Sequence, residues 1–322
     1  MNTPRFTGII PPMVTPLRAR DELDCAGLER LIEHLVGGGV SGLFILGTTG
    51  EGPGLSYRVR RELIERTCRQ VVQRIPVLVG ITDTSFVESL AIARHSADCG
   101  ADAVVAATPY YLPPSQPELV DWIADLAAET PLPLMLYNMP ALTKVVIEPE
   151  TVRRAMDFEN IVGLKDSGGD LDYYHRILAL LPARPDWSVL IGPEEKLAEA
   201  NAAGGHGGVS GGANIFPALY VALHDASFRG KKPARAGELQ RLVQQVSGQL
   251  YGIGQHPSRI IKAIKCALSH LGICDDFMTP PFRRFDPPER ARIVEAVSVL
   301  HDVIGESVPP KGNVVGVAAA GG

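Results

Sequence analysis

The chain has 322 residues, is 45% hydrophobic and carries a formal net charge of -5. That is the composition of a globular protein long enough for one large domain with an appendage. It offers no basic footprint for nucleic acid, and no apolar run approaches the ~18 residues of a membrane span. Met1 to Gly8 lack the basic-then-apolar plan of a secretory signal. Cys25, Cys68, Cys99, Cys266 and Cys274 form no CxxC pair and read as free thiols of a cytoplasmic protein. With no HExxH and no Cys/His cluster, no metal site is expected.

From Gly8 to about Gly212 one pattern recurs: a short apolar segment, a polar or glycine-containing turn, then an amphipathic helical segment. The apolar segments are Ile9 to Met13, Gly42 to Leu46, Val77 to Ile81, Ala103 to Ala106, Leu134 to Tyr137, Ile161 to Lys165, Val189 to Ile191 and Gly207 to Ser210. Most are spaced by roughly the 25 to 35 residues of a strand, a helix and two turns. Leu28, Leu31, Ile32 and Leu35 share one face of the first helix, which Gly37-Gly38-Gly39 stops. Leu63, Ile64, Cys68, Val71 and Val72 make the face of the second.

Strand and helix in alternation predict a parallel sheet, and eight such units predict a closed (β/α)8 (TIM) barrel. The alternative is an open doubly wound sheet, which more often has about five or six strands and a glycine fingerprint in its first turn. The first turn here, Val14-Thr15-Pro16-Leu17, has no glycine. After Gly212 only helices are predicted: Phe216 to Ser227, Ala234 to Leu250, Ser258 to Leu271 and Pro287 to Ile304. Residues 1–228 are thus read as the barrel, 229–304 as a C-terminal all-helical extension, and 305–322, rich in Gly, Ala and Val, as a flexible tail. Arg259, Lys262 and Lys265 fall on one of these helices and read as a solvated or interface face.

Catalytic groups of a parallel barrel gather at the C-terminal ends of its strands. The sixth strand ends in Lys165, the only one of eight lysines to end a strand-like run. Desolvation there lowers a lysine pKa, and a neutral amine can form a Schiff base with a ketone. The same lysine could instead snorkel to the surface, and the segment alone leaves both readings open. The second strand ends in Gly47-Thr48-Thr49-Gly50-Glu51-Gly52, whose N–H groups and hydroxyls suit a small carboxylate. The fifth ends in Leu136-Tyr137-Asn138-Met139-Pro140, where a phenol can shuttle a proton. Alone, the loop is an ordinary turn and the tyrosine a core aromatic. A lysine, a tyrosine and an anion loop on one rim point to a site.

The set Gly47-Thr48-Thr49-Gly50-Glu51, Thr108-Pro109-Tyr110-Tyr111, Tyr137-Asn138-Met139-Pro140 and Gly163-Leu164-Lys165-Asp166 resembles the dihydrodipicolinate synthase and N-acetylneuraminate lyase family in order and spacing. The resemblance implies a barrel with a C-terminal helical domain, a homo-oligomer (dimer or tetramer), and Lys165 as the amine that forms an imine with pyruvate or another 2-oxo acid, without a cofactor. It implies Tyr137 as proton relay, Thr48 as the hydroxyl linking that relay, and Thr49 with Gly47 at the pyruvate carboxylate. It also implies that Tyr111 completes the relay from a neighbouring subunit, and that Gly192 and Val209 line the pocket.

Within the family, the synthase pattern has an arginine where this chain has Leu142, and a leucine cannot clamp a carboxylate. The sialic acid lyase pattern has an Asp-Glu pair where this chain reads Pro193-Glu194-Glu195, which makes Glu194 a candidate substrate contact. Ser167 fits a hydroxyl-contacting position of the lyase and aldolase branches, and the stretch from Asn160 to Asp170 most resembles 4-hydroxy-2-oxoglutarate aldolases. The expected activity is reversible cleavage of a 4-hydroxy-2-oxo acid to pyruvate and an aldehyde. 4-Hydroxy-tetrahydrodipicolinate synthase, a sugar-acid dehydratase and a non-catalytic 2-oxo acid binder are the alternatives.

Overall fold

In the computed structural model, which describes residues 6–229 and 231–308, eight parallel strands form one sheet. They are β1 (Gly8–Ile9), β2 (Leu43–Ile45), β3 (Val77–Gly80), β4 (Ala103–Ala107), β5 (Leu134–Asn138), β6 (Ile161–Asp166), β7 (Ser188–Ile191) and β8 (Gly207–Gly208). From β2 onward each strand pairs with the next, and β8 pairs back onto β1. The last seam, between β1 and β2, closes through hydrogen bonds from Phe44 N–H to the Pro11 carbonyl (3.0 Å) and from Met13 N–H to the Phe44 carbonyl (2.9 Å). Pro11 and Pro12 have no N–H to donate, so this seam is a bridge and not a regular ladder. That is why β1 is shorter than the apolar run Ile9 to Met13. The ring is a barrel, and the open-sheet alternative falls.

Each strand is followed by a helix of six residues or more: α1 (Cys25–Gly37), α2 (Tyr57–Val71), α3 (Phe86–Asp98), α4 (Gln116–Glu129), α5 (Pro149–Ala155), α6 (Leu171–Leu178), α7 (Leu197–Ala202) and α8 (Pro217–His224). The side chains of Asp24, Ser56 and Ser85 accept from Gly27, Val59 and Glu88 N–H and cap α1, α2 and α3, each cap contributing about 1 kcal/mol. Leu28, Leu31, Ile32 and Leu35 are buried on α1. On α2 the predicted face ends one residue early. Val72 takes a left-handed φ of 47° and is 70% exposed. A two-stranded hairpin, Leu17–Ala19 with Glu22–Leu23, precedes α1 and was not anticipated.

Strand residues alternate between two apolar compartments, as the pleat requires. Phe44, Leu78, Ala103, Val105, Ala107, Met135, Tyr137, Leu190 and Val209 face the barrel axis. Ile45, Val79, Val104, Leu134, Leu136, Leu164 and Val189 face the helices. The C-terminal helices are α9 (Pro233–Leu250), α10 (Arg259–His270) and α11 (Pro287–Ser307). The last runs three residues beyond the expected end at 304, while 309–322, the rest of the expected tail, lies outside the described residues. Of the two readings of the Arg259, Lys262 and Lys265 face, solvated or interface, Lys265 rules out the solvated one for itself. It is fully buried, because its ammonium is paired with the Glu51 carboxylate.

Candidate active site

Plain alternation along β6 would put Lys165 on the same face as Ile161, towards the helices. A β-bulge prevents this. Leu134 of β5 pairs with Ile161, but the next residue, Met135, pairs with Gly163. Val162 is the extra residue, and it changes the phase of everything after it. Leu164 then faces the helices, and Lys165 faces the axis beside Tyr137, its registered neighbour. Gly163 makes the bulge possible, since a Cβ there would lie 2.1 Å from the Ser188 carbonyl oxygen.

The Lys165 amine is thereby held in an aromatic enclosure. Its Nζ lies 3.5 Å from the Tyr137 ring centroid and 5.9 Å from that of Phe44, and the residue is 4% exposed. Phe44 meets Tyr137 edge-on, with centroids 6.4 Å apart. Nζ donates to the Ser167 hydroxyl at 2.9 Å, a neutral acceptor. Burial pushes the Lys165 pKa below its ordinary 10.5; the neighbouring Tyr137 and Asp166 oppose this without reversing it. Thr48 Oγ1 lies 3.4 Å from the Tyr137 hydroxyl. Burial alone would raise that phenol, yet the Lys165 charge and the hydrogen bonds from Lys165, Thr48 and Ser167 bring it below 10.0. Amine and phenol are thus electrostatically coupled.

The loop after β2 coils tightly enough to bring its threonines to the same rim. Leu46 and Glu51 both adopt left-handed backbone, with φ of 58° and 57°, and a Cβ on Gly52 would lie 2.2 Å from the Leu46 carbonyl oxygen. Gly47 packs under the Phe44 ring. Thr48 and Thr49 are half-buried. Gly192 N–H donates to the Asp166 carbonyl at 2.7 Å, and Gly192 lies against the Ser167 side chain. Val209 belongs to the axial cluster below Tyr137. Lys165, Tyr137, Thr48 and Ser167 therefore form one connected group, with Gly192 and Val209 around it.

Three expected site residues stand apart. Glu194, a candidate substrate contact, is 4% exposed and occupied by protein donors. Its Oε2 accepts from Gly212 N–H at 2.8 Å, and its Oε1 accepts from the hydroxyls of Tyr220 (2.7 Å) and Tyr251 (3.1 Å). It tethers the loop after β8 to the helices, so both of its oxygens already accept from the protein. Burial raises its pKa to about 7 against those hydrogen bonds. Tyr111 is 88% exposed at a φ of 65° and is not hydrogen-bonded to Tyr137 within the chain. Leu142 lies 53% exposed on the short helix Pro140–Thr143.

The structure also adds residues that the sequence reading left without a role. Asn138 Nδ2 donates to Asp166 Oδ1 at 2.7 Å, clasping the tips of β5 and β6 one registered pair beyond Tyr137–Lys165. Asp166 is completely buried, and burial raises its pKa. Their adjacency in sequence to Tyr137 and Lys165 was the available signal. Phe44 could have been found by alternation along β2.

The chain matches the Dihydrodipicolinate synthetase family over residues 5–299. It belongs to that family. The 4-hydroxy-tetrahydrodipicolinate synthase of Chelativorans sp. (strain BNC1) is 37% identical over 278 residues, 86% of this chain and 92% of that protein. Escherichia coli K12 YagE, which carries the provisional name 2-dehydro-3-deoxy-D-gluconate aldolase, is 33% identical over 291 residues, 89% of this chain and 95% of that one. Among solved structures, the dihydrodipicolinate synthase of Bacteroides thetaiotaomicron superposes with a TM-score of 0.89 at 49% identity, covering 93% of this chain and all (100%) of its own. The YagE structure in complex with pyruvate gives 0.87 at 31% identity, with 92% and 99% covered. The family member described here is accordingly a lyase of the aldolase type.

Proposed function

We propose that Lys165 forms an imine with the 2-oxo group of pyruvate or a longer 2-oxo acid, and that the enzyme reversibly cleaves a 4-hydroxy-2-oxo acid. The observation that carries this is the Lys165 Nζ itself: buried, facing the barrel axis, 3.5 Å from the Tyr137 ring centroid and bonded to a neutral hydroxyl. The YagE complex with pyruvate supports the choice of ligand.

In the proposed reaction the amine lone pair attacks C2, one amine proton and the Tyr137 phenol proton pass to the C2 oxygen, and its loss as water leaves a protonated imine and a Tyr137 phenolate. The Tyr137 phenolate, linked to Thr48, removes the proton of the 4-hydroxyl. The C3–C4 bond breaks, C4 leaves as an aldehyde, and the bonding pair moves through C3 to neutralise the imine nitrogen, giving an enamine. Tyr137 returns the proton to C3, and water releases pyruvate and the free amine. The imine is the electron sink, so the scheme invokes no cofactor. Thr49 and Gly47 grip the pyruvate carboxylate in this reading. Tyr111 enters from a second copy, which accounts for an exposed aromatic side chain on strained backbone. The thiols are all free, and we place the enzyme in the cytoplasm.

The names of several relatives favour a synthase that adds a second carboxylate-bearing substrate to pyruvate. Leu142 argues against it. The nearest cation on that turn, Lys144, donates to the Ala141 carbonyl at 2.7 Å. Borohydride with pyruvate should add a pyruvate-derived mass at Lys165, and absence of any trapped adduct in the folded protein sinks the reading. A panel of 4-hydroxy-2-oxo acids, sialic acid, and aspartate semialdehyde with pyruvate then separates aldolase from synthase. Fast consumption of the semialdehyde would overturn the argument from Leu142.

A further inference from the structure

Glu51 sits in the loop that carries Thr48 and Thr49, yet its side chain points away from the rim into the helical domain. Its Oε1 accepts from the Lys265 ammonium of α10. Its Oε2 accepts from both the backbone N–H and the hydroxyl of Thr279, each at 2.8 Å. Lys265 Nζ donates further to the Phe277 carbonyl at 2.6 Å. The side chains are 0% and 1% exposed. Every strong contact of the carboxylate therefore comes from residues 265–279.

This anchor is coupled to the reacting groups by a short covalent path. Glu51 N–H donates to the Thr48 carbonyl at 3.0 Å, and Gly52 N–H donates to that of Gly47 at 3.2 Å. Glu51 itself is held in left-handed backbone, a conformation that a non-glycine residue keeps only where its surroundings over-determine it. A buried ion pair is a weak source of net stability, because desolvation offsets its attraction. What such a pair supplies well is a fixed geometry.

We infer that Glu51 and Lys265 are positioning residues for the reaction: the helical domain, through this pair, holds the Gly47–Gly52 loop so that Thr48 and Thr49 stay in register with Tyr137 and Lys165. The inference rests on the imine reading of Lys165 given above. Neither residue touches substrate. They act through the two threonines, so their loss weakens the grip on the 2-oxo acid and leaves the amine intact.

The test compares the full-length protein with two variants. Thr279→Val removes one hydrogen bond to Glu51 and keeps the ion pair. The double variant Glu51→Gln/Lys265→Met removes both charges together and so leaves no unpaired ion. Each is titrated with pyruvate under borohydride, reading the adduct mass at Lys165, and each melting curve is recorded to establish folding at the assay temperature. A loop displaced by a fraction of an ångström should raise the half-saturating pyruvate concentration about tenfold in the double variant. Loss of one hydrogen bond in Thr279→Val should raise it about threefold. Both should reach the wild-type adduct level at saturation, a split between affinity and capacity that a merely stabilising pair would not produce. Folded variants with wild-type half-saturation overturn the inference, and Thr279→Val decides alone if the double variant does not fold. A wild-type protein that traps no pyruvate overturns the imine reading, and with it the inference.

Discussion

Two lysines are buried among the described residues, and their surroundings are opposite. Lys265 donates to a carboxylate of the loop after β2 and to a carbonyl that follows α10. Lys165 donates to a serine hydroxyl and lies against two aromatic rings. The first environment compensates an ammonium. In the second, burial outweighs the opposing pull of Tyr137 and Asp166, and the pKa falls. Burial alone therefore does not make a lysine nucleophilic. What matters is the charge of the acceptor.

Lys165→Met should expose this difference most sharply. Turnover of a 4-hydroxy-2-oxo acid should fall on the order of 10⁴-fold or more, as for loss of a covalent nucleophile, and the trapped adduct should vanish. Stability in urea should hold or rise, because a thioether has no charge to desolvate. Lys265→Met should strike stability first: it strands Glu51 and costs about 3–5 kcal/mol, while the Lys165 amine can still be trapped. Equal destabilisation by the two substitutions would show that the environments are not distinct. Tyr137→Phe comes next, with a loss of about 10²–10³-fold in cleavage while the imine still forms and can be trapped.

Much of the barrel was legible, because apolar periodicity and strand spacing survive in any sequence whose sheet is buried on both faces. The polarity of Lys165 was not. Counting by twos from Ile161 sends its side chain outward, and only Gly163 hints at the bulge that turns it in. Lys265 misled for a related reason. Helical spacing grouped it with Arg259 and Lys262, and nothing local indicated that Glu51, 214 positions earlier, would meet it. The partners of Glu194, expected as a candidate substrate contact, were not legible because its donors, Tyr220, Tyr251 and Gly212, come from three later segments. Local sequence reports which face a residue occupies, and distant sequence decides what partner it finds there.

Glu194 extends the comparison to a buried acid without a cation. Burial raises its pKa from 4.5 to about 7. The folded state then holds more protons than the unfolded state between those values, so this contribution to stability is full below pH 4.5 and is lost as pH rises towards 7. The loss amounts to roughly 3 kcal/mol. Glu194→Gln keeps an acceptor for the tyrosines and cannot ionise, so its urea midpoint should stay level over that window while the wild type declines. A wild-type midpoint that also stays level would mean that the three donors compensate the ionised carboxylate in full.

The smallest effect expected is that of Ser167→Ala, and it bears on the acceptor argument most directly. The hydroxyl is the hydrogen-bond acceptor of the Lys165 amine, and Gly192 packs against it. Removing one neutral hydrogen bond changes free energy by about 1 kcal/mol, so trapping by pyruvate should slow no more than about tenfold. With one acceptor fewer, the ammonium form loses more than the neutral amine does. The pH at which trapping reaches half its maximal rate should therefore move down, further from 10.5. An upward shift would mean that Ser167 favours the neutral amine by donating to it, with Tyr137 taking the amine's proton, and the contrast with Lys265 would then rest on the phenol alone.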